Sequence, residues 1–393
     1  MFHFRHDATP GAMAAGHADV GLNERLLNNW QRGFPLSNRP FVHVGQAEGA
    51  TETEVIEVFA KGLQRGAISR IGGVWAPGVG GAALLCAMAV PPERLEAVAA
   101  LVSAHPGVNH NYEREHALNL WFVITGTGAE PLDQALTAIE SETALPVTRL
   151  KMVRPYRIDL GFDLHRPAVG GSAIRQRPPR VDAADRALAA LVEAGLPMVS
   201  RQASNVGVRT ALDVRGGVAD LANTSGIGGD QRLATNADDG TPIQHLRPDA
   251  TLVAEPFTHW ADQLGVPTAN VLARIQAWLD AGTLRRFGLV VRHHELGFGA
   301  NAMTVFDLPD EQVDAFGERL ATQPGITLCY RRERAPGWRY NLYCMVHGRS
   351  RDETLALLHA AIAAAGLAEQ PRQVLFSRRR FKQTGARYFR CTR

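Results

Sequence analysis

The residues of this chain best suited to acid–base and carboxylate chemistry gather around two segments that repeat each other. The first reads His110-Asn111-Tyr112-Glu113-Arg114 and runs on to Asn119-Leu120-Trp121-Phe122. The second reads Cys329-Tyr330-Arg331-Arg332-Glu333-Arg334 and runs on to Asn341-Leu342-Tyr343-Cys344. Tyr112 aligns with Tyr330 and Asn119 with Asn341, so one structural unit occurs twice. The copies differ where chemistry would sit. His110 stands against Leu328, and His293-His294 stand against Pro77-Gly78. Histidine titrates near neutral pH and can pass a proton to a reacting carbon. His110 and His294, with His293 beside it, are therefore the candidate proton donors. A lone histidine is by default structural. Here Asn111-Tyr112 and Arg292 adjoin them and favour a site.

Of the 42 lysines and arginines only three, Lys61, Lys151 and Lys382, are lysines. A GC-rich genome accounts for the overall bias, but not for local clusters. Arg331, Arg332, Arg334 and Arg339 form one cluster, and Arg378, Arg379 and Arg380 another. A guanidinium grips a carboxylate through two parallel N–H bonds, which an ammonium cannot do. Arg114, Arg331 and Arg332 fall on expected strands beside the repeated tyrosines. Alternation along the last strand puts Arg378, Arg380 and Lys382 on one face and Arg379 on the other. Tyr112, Trp121, Tyr330, Tyr340 and Tyr343 could wall a flat apolar slot. Cys329, Cys344, Met303 and Met345 read as core.

These groups need a scaffold, and 393 residues are enough for two or more domains. A composition of 45% hydrophobic and 21% charged residues is that of a soluble globular protein. No apolar run is long enough to span a membrane, and residues 1–20 read as a loose tail without the order of a signal peptide. Four scattered cysteines form no C-x-x-C pair, which points to a reducing cytoplasm. A net charge of +3 demands no nucleic acid. There is no G-x-G-x-x-G before a helix and no P-loop, so no dissociable cofactor is expected.

Each copy opens with a helical unit in the order of a winged helix-turn-helix. In residues 21–66 the helices are expected over 24–30, 41–47 and from Thr51, which caps the third with Glu54 in a capping box. In residues 181–282 they are expected over 182–193, 257–264 and 268–281. About 50 extra residues, 203–250, interrupt the second unit and read as a disordered insertion. Each unit is followed by strand, strand, helix, strand, strand, helix, strand, over 67–164 and 283–393, with a linker at 165–180. That order suits a ferredoxin-like antiparallel sheet under helices, so the fold class is α+β in tandem repeat. The two sheets are expected to pair side by side.

A winged helix followed by such a sheet resembles the Lrp/AsnC architecture. The finer motifs resemble the siroheme decarboxylase family. Gly33-Phe34-Pro35-Leu36, Arg39-Pro40-Phe41 and the His110 and Asn119 segments resemble one subunit type. Arg286-Phe287-Gly288, Arg292 to Phe298, Trp338 to Gly348 and Phe376 to Gln383 resemble the other. The likeness covers about 20–165 and 181–390 apart from the insertion, after which Phe257 has Glu255, and not an arginine, two places before it. It implies loss of the C12 and C18 acetate carboxyls of siroheme, giving 12,18-didecarboxysiroheme in heme d1 biosynthesis. It also implies siroheme and its mono- and didecarboxylated products as ligands, with iron belonging to the substrate. Arg286 joins the candidate binding cations on this ground. A heme- or siroheme-responsive regulator is the alternative, but the third helix begins Glu52-Thr53-Glu54, and that charge would repel DNA phosphates. A carrier without turnover would share the pocket.

Overall fold

The computed structural model describes residues 21–158, 161, 180–200, 250–292, 294–386 and 388–389. The tail at 1–20, the linker up to residue 179, nearly all of the insertion and His293 lie outside the described residues.

The first half comprises α1 (Leu22–Asn29), α2 (Pro40–Glu48), α3 (Glu52–Gln64), β1 (Ile68–Trp75), β2 (Ala82–Met88), α4 (Leu95–Ala104), β3 (Val108–Arg114), β4 (Leu120–Gly126), α5 (Ala129–Thr143), β5 (Thr148–Leu150) and β6 (Met152–Ile158). The second comprises α6 (Arg186–Ala194), β7 (Met198–Ser200), β8 (Ala250–Leu252), α7 (Pro256–Leu264), α8 (Thr268–Asp280), β9 (Leu284–Val291), β10 (Ala300–Phe306), α9 (Val313–Ala321), β11 (Ile326–Arg332), β12 (Leu342–Gly348), α10 (Arg351–Ala364) and β13 (Arg372–Gln383). The Thr51–Glu54 capping box starts α3, with the Thr51 N–H donating to Glu54 at 2.8 Å. β7 pairs with β8, so the two ends of the insertion meet in one short ribbon.

The helical units join through β1 and β9, which pair antiparallel with Gly72 opposite Gly288. Both glycines are required by close approach. A Cβ on Gly72 would lie 2.6 Å from the Val192 carbonyl oxygen, and one on Gly288 2.5 Å from that of Trp30. Through these gaps each half docks the end of its first helix on the other half's strand. Leu289 N–H donates to Trp30 O at 2.9 Å, and Leu196 N–H donates to Ile71 O at 2.7 Å. Phe34, Phe41, Phe59, Phe257, Trp260 and Phe287 fill the shared core.

The main sheet runs β5-β2-β4-β3-β13-β10-β12-β11-β6. Each half sends its last strand into the other. The first part of β13 pairs with β10, and from Ser377 it crosses to β3. The sequence reads 147–159 as one strand. The structure divides it at Lys151, so that β5 stays on β2 while β6 pairs with β11. The Lys151 carbonyl is occupied by the Glu333 N–H at 2.9 Å. Because β5 and β6 are neighbours in the chain, the two ends of the strand order are tied together. Trp121, Leu150, Met303, Val305, Trp338, Tyr343 and Leu375 pack inside, and α4 and α5 or α9 and α10 cover the outside. Burial of each such large side chain contributes roughly 1.5–3 kcal/mol.

Candidate active site

A cleft opens where the β3–β13 seam meets the start of β10 and the end of β12. Tyr112, His294, Phe298, Gly299, Asn301, His347, Ser377, Arg378, Arg379, Arg380 and Gln383 line it, with a cavity volume of about 70 Å³. Crossing of β13 builds this place, because it sets arginines of the second half beside Tyr112 of the first. Arg380 lies opposite Tyr112, and Gln383 opposite His110.

His110 stacks on Tyr112, ring centroids 6.1 Å apart at 23°. Burial pushes its pKa down to about 4, so at neutral pH the imidazole is uncharged. His294 is exposed on the cleft rim, in the short turn His294–Leu296. Arg380 is nearly enclosed, with 11% of its side chain exposed. It donates to Glu295 at 3.0 Å and to Gln383 at 3.1 Å. Arg378 is exposed, 3.7 Å from Glu113. Arg379 turns towards α4 and pairs with Glu96.

Arg114 stands one residue behind the cleft wall. It donates to Leu375 O at 3.0 Å and reaches Asn301 Oδ1 at 3.5 Å, and its Nε has no partner. Ser377 donates to the same Asn301 oxygen at 2.7 Å. Burial lowers the guanidinium pKa to about 10, still charged at neutral pH. A buried cation bonded to carbonyl oxygens, not to a carboxylate, favours an anion nearby.

Other expected site residues lie elsewhere. Lys382 does not share a face with Arg380. The β-bulge between Arg380 and Lys382 breaks the alternation, and Lys382 Nζ donates to Ser103 O at 2.6 Å, at the end of α4. Trp121, Tyr330 and Tyr340 pack inside the main sheet. Arg332 enters the same interior, donating to Leu150 O at 2.8 Å with its guanidinium 5.2 Å from the Tyr330 ring. Arg331 joins Asp310 and Asp314 in an ion-pair network with Arg334, so this cluster binds its own acids. Arg286 is buried in the helical layer, donating to the carbonyls of Gln31 and Leu289.

One cleft histidine escaped the sequence reading. His347 lies opposite Asn301 across β10 and β12, with Nδ1 3.0 Å from the Thr327 hydroxyl. The repeat itself carries the signal. His347 follows Asn341 by the same spacing as Thr125 follows Asn119.

Residues 23–68 match the siroheme decarboxylase NirDL-like HTH domain, and residues 79–157 and 295–382 the AsnC-like ligand binding domain. The chain is 38% identical to a siroheme decarboxylase NirDL subunit of Paracoccus pantotrophus, over 93% of this chain and 96% of that protein. It is 50% identical to a siroheme decarboxylase NirL subunit of Stutzerimonas stutzeri, over 35% of this chain and 81% of that one. A crystal structure of siroheme decarboxylase NirDL in complex with an iron-uroporphyrin III analogue has the same fold, with a TM-score of 0.58 at 23% identity over 94% of this chain and 95% of that one. The chain belongs to the siroheme decarboxylase family, a group of carbon–carbon lyases.

Proposed function

We propose that this protein removes the two acetate carboxyls of siroheme and yields 12,18-didecarboxysiroheme, and that the cleft at the β3–β13 seam is its one productive site. One observation carries the reading. Three arginines, two histidines and a tyrosine line it from both halves, and a further arginine, the buried Arg114, lies behind Asn301. The cavity volume of about 70 Å³ is far below the roughly 300–1,000 Å³ of a pocket that swallows its ligand. The macrocycle therefore sits across the mouth and only its carboxylate arms enter.

Each step converts a ring-bound CH₂–COO⁻ and a proton to a methyl and carbon dioxide. Electrons left on the methylene spread into the macrocycle, so the substrate is its own electron sink and no further cofactor enters. Arg378 and Arg380 hold carboxylates in the cleft. His294 or His347 delivers the proton, and His110, neutral at rest, takes one up when a carboxylate lies beside it. The family sets the regulator reading aside. In keeping with that, the first turn of α3 is acidic, with Glu52 tied to Arg39.

Among the described residues no helix is long and apolar enough to cross a membrane, and a cytoplasmic enzyme suits the substrate. The two halves act as a built-in pair. Anaerobic incubation with siroheme, followed by mass spectrometry, should show loss of one and then two carbon dioxides. Siroheme recovered bound but unchanged in mass would make the protein a carrier.

A further inference from the structure

Arg380 already has a carboxylate. Its nearly enclosed guanidinium is paired with Glu295 at 3.0 Å, in the turn that carries His294. An incoming substrate carboxylate meets a cation that is occupied. In the other half, the places of both partners hold groups that cannot pair. Pro155 stands opposite Tyr330 as Arg380 stands opposite Tyr112, and residues 76–81, which correspond to the turn that carries Glu295, contain no acid. Among the described residues, the acid and the cation thus occur together at these positions on the side that has the cleft.

We propose that Glu295 is an exchange partner for Arg380. It yields the guanidinium to a substrate carboxylate and takes it back when that carboxyl leaves as carbon dioxide. This rests on the cleft being the substrate site. The physical need arises from the reaction itself. Decarboxylation destroys the counter-ion that the substrate brought, and a nearly enclosed arginine that loses a carboxylate partner is destabilised. Glu295 lies within reach to fill the vacancy. It therefore weakens ground-state binding and stabilises the state in which the carboxylate charge has gone, as a specificity-determining residue should. A methyl group cannot displace Glu295, whereas an acetate arm can, so the same exchange separates substrate from product.

The test is Glu295→Gln in the full chain, with siroheme affinity measured by anaerobic absorbance titration and turnover by carbon dioxide release. Glu295 is exposed, so the variant should fold. Siroheme should bind about five- to tenfold more tightly and kcat should fall by a similar factor, leaving kcat/KM nearly unchanged. Affinity for the didecarboxylated product should not move, because Arg380 is in the same state in free and product-bound protein. Unchanged or weaker siroheme binding by Glu295→Gln would overturn the exchange. Arg380→Gln separates the two layers of the argument. If it weakens siroheme binding while Glu295→Gln does nothing, only the exchange fails. If neither variant alters binding, the cleft is not the substrate site.

Discussion

The cleft has a mate on the opposite side of the molecule, and the two agree in backbone while differing in chemistry. Strand β11 pairs with β6 as β3 pairs with β13, with irregularities at the same points. Outward-facing residues match. Lys382 donates to Ser103 O at the end of α4, and Arg157 to Ala321 O at the end of α9. Arg379 pairs with Glu96, and Arg154 with Asp314. The buried arginines match as well, since Arg114 and Arg332 each donate to a leucine carbonyl of the strand shared between halves and each leave Nε without a partner. Positions at the cleft and directly beside it do not match. His110, Arg380, Ser377 and Gln383 are met by Leu328, Pro155, Met152 and Ile158, and the Asn301–His347 pair by Ala83–Thr125. Where Phe298 borders the cleft, the aligned Gly80 has Tyr388 packed against it. One frame is built twice, and its shared parts are those that hold the sheet together. The arginines and histidines of the cleft stand on one side.

The strongest way to break this comparison is to remove a proton donor from the equipped side alone. His294→Ala should lower the rate of carbon dioxide release by about 10²–10⁴-fold, the range for loss of a general acid, with siroheme still bound. A variant that binds and turns over like wild type would remove His294 from the reaction. The same measurement on His347→Ala decides which of the two cleft histidines acts.

The carboxylate grip gives the next largest effect. Arg380→Gln should weaken siroheme binding by about 10- to 100-fold, since a charged hydrogen bond is worth roughly 1.5–3 kcal/mol. Its counterpart Pro155→Ala should leave affinity unchanged. Equal effects on both sides would mean two working sites, and the asymmetry of side chains would then be incidental.

Much of this was legible in the sequence, and what was not has a physical cause. The capping box at Thr51, the helix order and the paired tyrosines follow from local spacing. Strand alternation could not foresee two irregularities in β13: one between Ser377 and Arg379, after which Arg378 and Arg379 both reach Glu113, and one between Arg380 and Lys382 that sends Lys382 to α4. Clustered arginines at 331–339 read as a carboxylate clamp. Their partners, Asp307, Asp310 and Asp314, lie more than a dozen residues away and meet them only when α9 folds onto the sheet. The crossing of β13 was out of reach for the same reason, because it is a pairing between strands more than 250 residues apart. His347 was within reach, since extending the repeat alignment past Asn341 sets it against Thr125.

A smaller effect sharpens the comparison at His110, whose mate position is Leu328. Burial holds the folded-state pKa at about 4, below the ordinary 6.5. An unfolded chain takes up this proton near pH 6.5 and the folded one only near 4, so acidification across that window favours unfolding. Stability from the neutral ring is complete above about pH 6.5 and declines as the pH falls towards 4. His110→Leu copies the mate and removes the proton uptake. Its Tm should therefore drop less steeply than wild type between pH 6.5 and 4.5, although His105 and His116, also lowered by burial, keep a residual slope in both proteins. Parallel Tm curves for the two proteins would show that the ring is not desolvated as its place against Tyr112 implies. Bound siroheme should narrow the difference, because a carboxylate beside His110 raises its pKa back towards the ordinary value. That ligand dependence is what the mate position, with leucine, cannot show.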